Sequence, residues 1–111
     1  MSELTEKIAD FLKVLSDQTR LEILELLKNG EKTSKDIQTT LDKSQSTVSQ
    51  HLKRLYDEDL ILFEEKDNLK YYKIKYYYIF KILSFIQSFV ITLQKDKVRK
   101  LTEYDRYDTL T

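Results

Sequence analysis

The sequence contains no cysteine, no proline and no tryptophan, and only one glycine and one histidine in 111 residues. Without cysteine there are no disulfides, no thiolate metal sites and no sulfur nucleophile. One histidine excludes a multi-histidine zinc site within a single chain, and one glycine excludes a glycine-rich phosphate loop. Most enzyme classes lose their machinery on these counts, so no enzyme activity, cofactor or metal is expected. An excess of one charge is missing too, since 19 Lys+Arg balance 19 Asp+Glu. A basic excess is the usual footprint of a nucleic-acid binder, so such a role has to rest on how charge is distributed. The first residues, Met-Ser-Glu-Leu-Thr-Glu, show no basic stretch ahead of an apolar run. No signal peptide is expected, and the cytoplasm is the default location.

What is present suffices for one domain over residues 1–111, because 41% of the chain is hydrophobic and 34% is charged. Leu4, Ile8, Phe11, Leu12 and Leu15 recur at helical spacing and predict a first helix. Asp17 is a suitable N-cap for a second helix, which ends at Asn29-Gly30. Thr33-Ser-Lys-Asp36 has the form of a capping box opening a short third helix through Ile37 and Leu41. A fourth helix follows from about Ser44 to Tyr56, with Val48, Leu52 and Leu55 as its apolar stripe. Leu60–Phe63 and Tyr71–Lys75 read as strands. Asp67-Asn68 lies midway between them and signals a hairpin. A long apolar helix spans Tyr76 to Leu93, and a mobile, charged C-terminal extension is expected at about residues 95–111. The order predicts a mainly α fold with a small β-hairpin (α+β), the pattern of a winged helix-turn-helix.

With Val48, Leu52 and Leu55 facing inward, helical geometry turns Ser46, Gln50, Lys53 and Arg54 outward, flanked by Thr47 and Ser49. Glutamine bonds adenine bidentately, arginine reads guanine and serine adapts to either. From Lys43 to Tyr56 there are three cations and no acid. Standing alone, such a face is as well explained as ordinary polar surface. As the second helix of a helix-turn-helix it points to DNA, with Lys43, Lys53 and Arg54 anchoring the backbone. His51, beside the apolar stripe, reads as a structural or phosphate-contacting residue rather than a metal ligand.

These residues carry a family likeness. Leu15–Leu27, L-S-D-Q-T-R-L-E-I-L-E-L-L, resembles the second-helix signature of the ArsR/SmtB family of winged-helix repressors. Ser44–Leu55, S-Q-S-T-V-S-Q-H-L-K-R-L, resembles that family's recognition helix. Leu60-Ile61 falls where its first wing strand begins, and Tyr71-Tyr72 matches the aromatic pair on its returning strand. The resemblance implies a homodimer that binds an inverted repeat and represses its own operon. It gives Gln45, Ser46, Ser49, Gln50 and His51 the major-groove and adjacent phosphate roles, with Ser44 and Thr47 beside them. On the wing, Asn68 occupies the slot of the family's arginine, with Lys66 and Lys70 as nearby cations, while Glu64, Glu65 and Asp67 oppose a close approach to phosphate. The family's metal sites have no counterpart. The third helix reads S-K-D-I-Q-T-T-L, and the last helix has no His, Asp or Glu before Asp96. Gln18 replaces a common proline, and Asp59 stands where a glycine usually closes the recognition helix.

The long helix holds one charge, Lys81, and a polar stripe of Lys81, Ser84, Gln87, Ser88 and Thr92 that a lipid-facing helix does not need. No membrane partner is expected. Its apolar arc is wider than packing on one side requires, which suggests its own core on one face and a second chain on the other. Leu4, Ile8 and Phe11 of the first helix join Ile82, Phe85, Ile86, Phe89, Val90 and Leu93 as the expected dimer interface. A symmetric dimer places its recognition helices about 34–36 Å apart, in successive major grooves. Tyr71, Tyr72, Tyr76, Tyr77 and Tyr78 are expected to pack rather than to stack on bases, since duplex DNA offers no unstacked base. The favoured reading is a dimeric, metal-independent repressor of double-stranded DNA with no effector visible in its residues. The alternative is a winged helix kept as a protein-interaction module, favoured by the neutral charge and the wing without arginine.

Overall fold

Local capping and hydrophobic spacing set the elements of the fold. The computed structural model describes the backbone of residues 2–110 and the side chains of residues 2–104. The elements are α1 (Ser2–Leu15), α2 (Gln18–Leu27), β1 (Lys32–Thr33), α3 (Ser34–Leu41), α4 (Gln45–Asp57), β2 (Ile61–Lys66), β3 (Leu69–Ile74) and α5 (Ile79–Leu110). They divide into two units, Met1–Tyr77 and Tyr78–Thr111.

In the first unit, three side chains start three helices. The Asp17 carboxylate accepts the Arg20 N–H at 3.1 Å at the start of α2. Thr33 and Asp36 form a reciprocal capping box at the start of α3, with bonds of 3.2 and 3.1 Å. The Ser44 hydroxyl accepts the Thr47 N–H at 3.2 Å at the start of α4. Each satisfies a donor that the helix cannot pair internally. The Arg20 N–H, followed by the charges of His51 and Arg20, outweighs partial burial and holds the Asp17 carboxyl below its ordinary range.

The turns reach left-handed backbone without glycine. Asp42 ends α3 at φ 54°, and Asp59 follows α4 at φ 61°. Asp67 and Asn68 join β2 to β3 at φ 53° and 66°, the geometry of a two-residue type I′ hairpin. Aspartate and asparagine tolerate this region because a short polar side chain bonds locally. The one glycine, Gly30, has φ 136° beyond the end of α2. Val14, Ile23, Leu24, Leu27, Ile37, Val48, Leu52 and Leu55 make a fully enclosed core, closed on the sheet side by Ile61 and Ile74.

Four sequence expectations need correction. The hairpin is part of a three-stranded antiparallel sheet ordered β1-β3-β2, with Lys32 opposite Tyr72 and Thr33 opposite Tyr71. A two-residue strand is too short for a period-two signal. The wing strands also run further than Leu60–Phe63 and Tyr71–Lys75, meeting at the two-residue turn. Most of their extra residues are charged, and one pair opposes favourably, Glu65 facing Lys70.

The third correction concerns the second unit. α5 begins at Ile79 rather than Tyr76, and it continues to Leu110 rather than ending at Leu93. The Lys81 and Ile82 N–H groups donate to the Tyr78 carbonyl, which starts the helix there. Residues 94–104 contain no glycine or proline, and seven of the eleven are Lys, Arg, Gln, Glu or Leu, good helix formers whether charged or not. Of the extension expected at 95–111, the side chains of residues 105–111 lie outside the described residues. Ile79 is buried, but every residue from Ser84 to Tyr104 is exposed. Tyr76, Tyr77 and Tyr78 are exposed as well, against the expectation that they pack. Among the described residues no helix is long and apolar enough to cross a membrane.

Candidate nucleic-acid interface

The outward face of α4 follows from its buried one. Val48, Leu52 and Leu55 are sealed in the core, so Ser46, Ser49, Gln50, Lys53 and Arg54 stand in solvent, as do Lys43, Ser44 and Gln45 at the helix start. Ser44 and Thr47 spend their polar groups locally. The Ser44 hydroxyl caps the helix, donates to Thr47 Oγ1 at 2.9 Å and lies 3.3 Å from Ser46 Oγ. Ser49 and Gln50 are left as the exposed donors and acceptors of the middle turn. Among the described residues Lys43 and Arg54 have no carboxylate partner, whereas Lys53 pairs with Asp57 at 2.9 Å.

The wing has two chemically different faces. Strand alternation puts Ile61, Phe63, Glu65, Lys70, Tyr72 and Ile74 on one side, and Leu62, Glu64, Lys66, Leu69, Tyr71 and Lys73 on the other. On the first face the Phe63 ring lies between those of Tyr56 and Tyr72, with centroids 5.3 and 5.6 Å away. The Lys70 ammonium sits over Phe63 at 4.6 Å, a cation–π arrangement. Burial pushes the Tyr72 phenol up.

On the second face Lys66 pairs with Glu31 at 3.2 Å and Lys73 with Glu64 at 2.6 Å. The hydrogen bond from Lys73 holds the Glu64 carboxyl below its ordinary range, and the same bond raises Lys73. Glu64 is therefore an ionised carboxylate paired within the wing.

Two grooves follow from this arrangement. One, of about 470 Å³, runs between α4 and the wing past Ser49, Lys53, Tyr56, Phe63, Lys70 and Tyr72. The other joins the start of α3 to the wing tip, past Ser34, Lys35, Gln38, Gln45, Asn68 and Lys70. Ser49, Lys53 and Lys70 are thus brought together at one groove, and Gln45, Asn68 and Lys70 at the other. Lys66 is turned away from both, toward Glu31. His51 is withdrawn between Asp17 and Arg20.

Sequence reading passed over Lys35, Gln38 and Tyr56, which line these grooves. The spacing of Lys35 and Gln38 on α3, and of Lys53 and Tyr56 on α4, was the available signal, since residues three apart share a helix face.

The candidate dimer residues lie on helices that differ from α4 in what they bury. Leu4 and Ile8 on α1 are exposed and Phe11 is half-buried. On α5, Ile82 is half-buried, while Phe85, Ile86, Phe89, Val90 and Leu93 are exposed. Among the described residues no donor set suited to a metal is assembled. The chain has no thiol, its histidine is engaged by Arg20, and among the described residues no three His, Cys, Asp or Glu side chains converge.

Residues 17–61 match the family described as "Bacterial regulatory protein, arsR family". The chain is 37% identical over 71 residues to the arsenical resistance operon repressor of Staphylococcus aureus, covering 64% of this chain and 68% of that one. It is 40% identical over 74 residues to the protein of the same name from Bacillus subtilis (strain 168), covering 66% and 70%. Among solved structures, the homodimeric winged helix-turn-helix DNA-binding domain Mb0332 of Mycobacterium bovis superposes with a TM-score of 0.72. That match has 26% identity and covers 80% of this chain and 82% of the other.

Proposed function

Because this chain belongs to the arsR family of bacterial regulatory proteins, we propose that it is a homodimeric, cytoplasmic repressor that binds an inverted-repeat operator through α4 and senses no metal. The family consists of DNA-binding transcriptional regulators rather than enzymes. The observation that carries the reading is the division of α4. Its apolar stripe is completely buried, while Ser46, Ser49 and Gln50 stand outward within the matched segment. These three read base edges. Lys43, Lys53 and Arg54 hold phosphates, and Lys53 exchanges Asp57 for phosphate on binding.

The wing contributes from the side of α4. Lys70, with Gln45 and Asn68 around the neighbouring groove, follows the backbone beside the major groove. Lys66 adds only through its general field, since Glu31 already occupies it. A second copy of the chain covers Leu4, Ile8 and Phe11 on α1 and Ile82, Phe85, Ile86, Phe89, Val90 and Leu93 on α5. Metal independence is supported by the absence of thiols and by the lack of carboxylate or histidine pairs on α5 before Asp96.

Fluorescence anisotropy on the protein's own upstream duplex and on a scrambled duplex, each across a salt series, tests the reading. Tight binding to the upstream duplex alone, with a steep salt slope, is the expected result. No binding to either duplex at low salt overturns it in favour of a protein-interaction module.

A further inference from the structure

The only histidine of the chain sits on the recognition helix but is not presented to solvent. Its side chain is 18% exposed and lies against α2. His51 Nδ1 is 3.2 Å from Arg20 Nη1. A guanidinium has no acceptor, so Arg20 donates and Nδ1 carries the lone pair. In the neutral ring the proton is then on Nε2, which faces Asp17 Oδ1 at 3.8 Å.

Arg20 is itself held at the end of α1. Its Nε donates to the Val14 carbonyl at 2.6 Å and its Nη2 to the Lys13 carbonyl at 3.2 Å. Carbonyls in the last turn of a helix lack intrahelical partners, so one side chain closes α1, sits on α2 and grips α4.

We propose that Arg20 and His51 are positioning residues for the recognition helix, and that the grip requires a neutral imidazole, so protonation of His51 weakens DNA binding. This inference rests on the DNA-binding reading above. Protonated Nδ1 is a donor facing another donor, so the bond to Arg20 is lost. The charged groups set against the ring from α2 are Arg20 and Asp17. From α1 comes Lys13, whose ammonium is turned to Asp10 at 3.9 Å, and on α4 Arg54 lies one turn further on. Asp17 attracts a charged ring, but it does so from the Nε2 side and supplies no acceptor at Nδ1. A histidine acting directly on phosphate has the opposite sign: protonation then strengthens binding.

The single imidazole makes the test direct. In ¹⁵N-labelled protein without DNA, the Nε2–H tautomer is expected at about pH 8, a pH at which an ordinary imidazole is neutral. Operator affinity of the wild type and of His51→Asn is then followed down to about pH 5.5, across the range in which imidazoles charge, each protein referred to its own value at the upper pH. Asparagine places a carbonyl near the position of Nδ1 but does not titrate. Wild-type affinity should fall about fivefold more than that of His51→Asn, the weight of one ordinary hydrogen bond. At the upper pH His51→Asn should also bind more tightly than His51→Gln, whose amide lies nearer the Nε2 position. The Nδ1–H tautomer, a parallel pH response in wild type and His51→Asn, or equal binding by the Asn and Gln variants each overturns the inference alone. Absence of binding by all the proteins to any duplex at low salt overturns the DNA reading itself.

Discussion

Leu55 on α4 and Phe89 on α5 are both large apolar residues in the middle of helices, yet Leu55 is fully buried and Phe89 is 64% exposed. The contrast extends to their surroundings. In the first unit the apolar stripes of α2, α3 and α4 close on one another and on the sheet, which leaves the polar face of α4 outward. Along α5, Phe85 at 75% exposure and Phe89 stand among other uncovered apolar residues. Contiguous apolar surface of that kind marks an interaction site more often than a defect. One region holds its own fold and carries the polar face proposed to read DNA; the other presents apolar surface, which a second copy of the chain is proposed to cover.

The sharpest way to break this comparison is to remove a large apolar side chain from each region. Leu55→Ala should lower the stability of the protein by about 2–5 kcal/mol in a denaturant titration, because it leaves a cavity in a closed core. Phe89→Asp should instead leave the first unit folded and shift the protein from dimer to monomer in analytical ultracentrifugation. Since a dimer holds two half-sites at once, its operator affinity should drop by about 100-fold. A Phe89→Asp protein that remains dimeric and binds as before removes the proposed role of α5.

Much of the first region was legible in the sequence, and the reasons are local. The spacing of Val48, Leu52 and Leu55 identifies both the buried stripe of α4 and its opposite face. Asp17, Thr33 with Asp36, and Ser44 announce their helices, because a cap is a bond between residues two or three apart. Asp67-Asn68 marked the hairpin turn, but the charged residues beside it concealed how far the strands extend. β1 was invisible, as two residues carry no period. α5 was misjudged at both ends. Tyr76–Tyr78 carry no signal that marks where a helix starts. Beyond Leu93 a sequence window weighs charge as loop, while the backbone responds to the absence of glycine and proline.

The site was less legible than the fold. That Ser49 and Gln50 point outward follows from periodicity alone. That Lys66 turns to Glu31, that Lys70 rests on Phe63, and that His51 belongs to Arg20 all depend on partners distant in sequence. A list of candidate cations therefore needs the sheet register before it can be sorted into those facing α4 and those facing away.

The division of α4 yields a smaller and more specific effect. Gln50→Ala should cost about 1–3 kcal/mol at one base position while leaving scrambled DNA bound as before, since base contacts specify and phosphate contacts position. Competition with operators altered one base pair at a time measures it. An unchanged preference moves the reading role from the middle turn of α4 to its first turn, at Gln45 and Ser46.

The smallest effect concerns Asp17, whose carboxyl the Arg20 N–H holds below its ordinary range. A carboxyl with a depressed folded-state pKa stabilises the protein above its unfolded-state value, and that contribution disappears as the pH falls through the folded-state value. Asp17→Asn keeps an oxygen able to cap α2 but carries no charge to titrate. The variant should therefore be less stable than wild type near neutral pH, and the gap should close on acidification below about pH 4, the ordinary carboxylate range. Because the side chain is partly solvated, screening keeps the difference to about 0.5 kcal/mol. Paired urea titrations at neutral and acid pH resolve it. A gap that persists in acid would mean that Asp17 stabilises the domain through the shape of its cap, and that its charge matters only to the neighbouring His51.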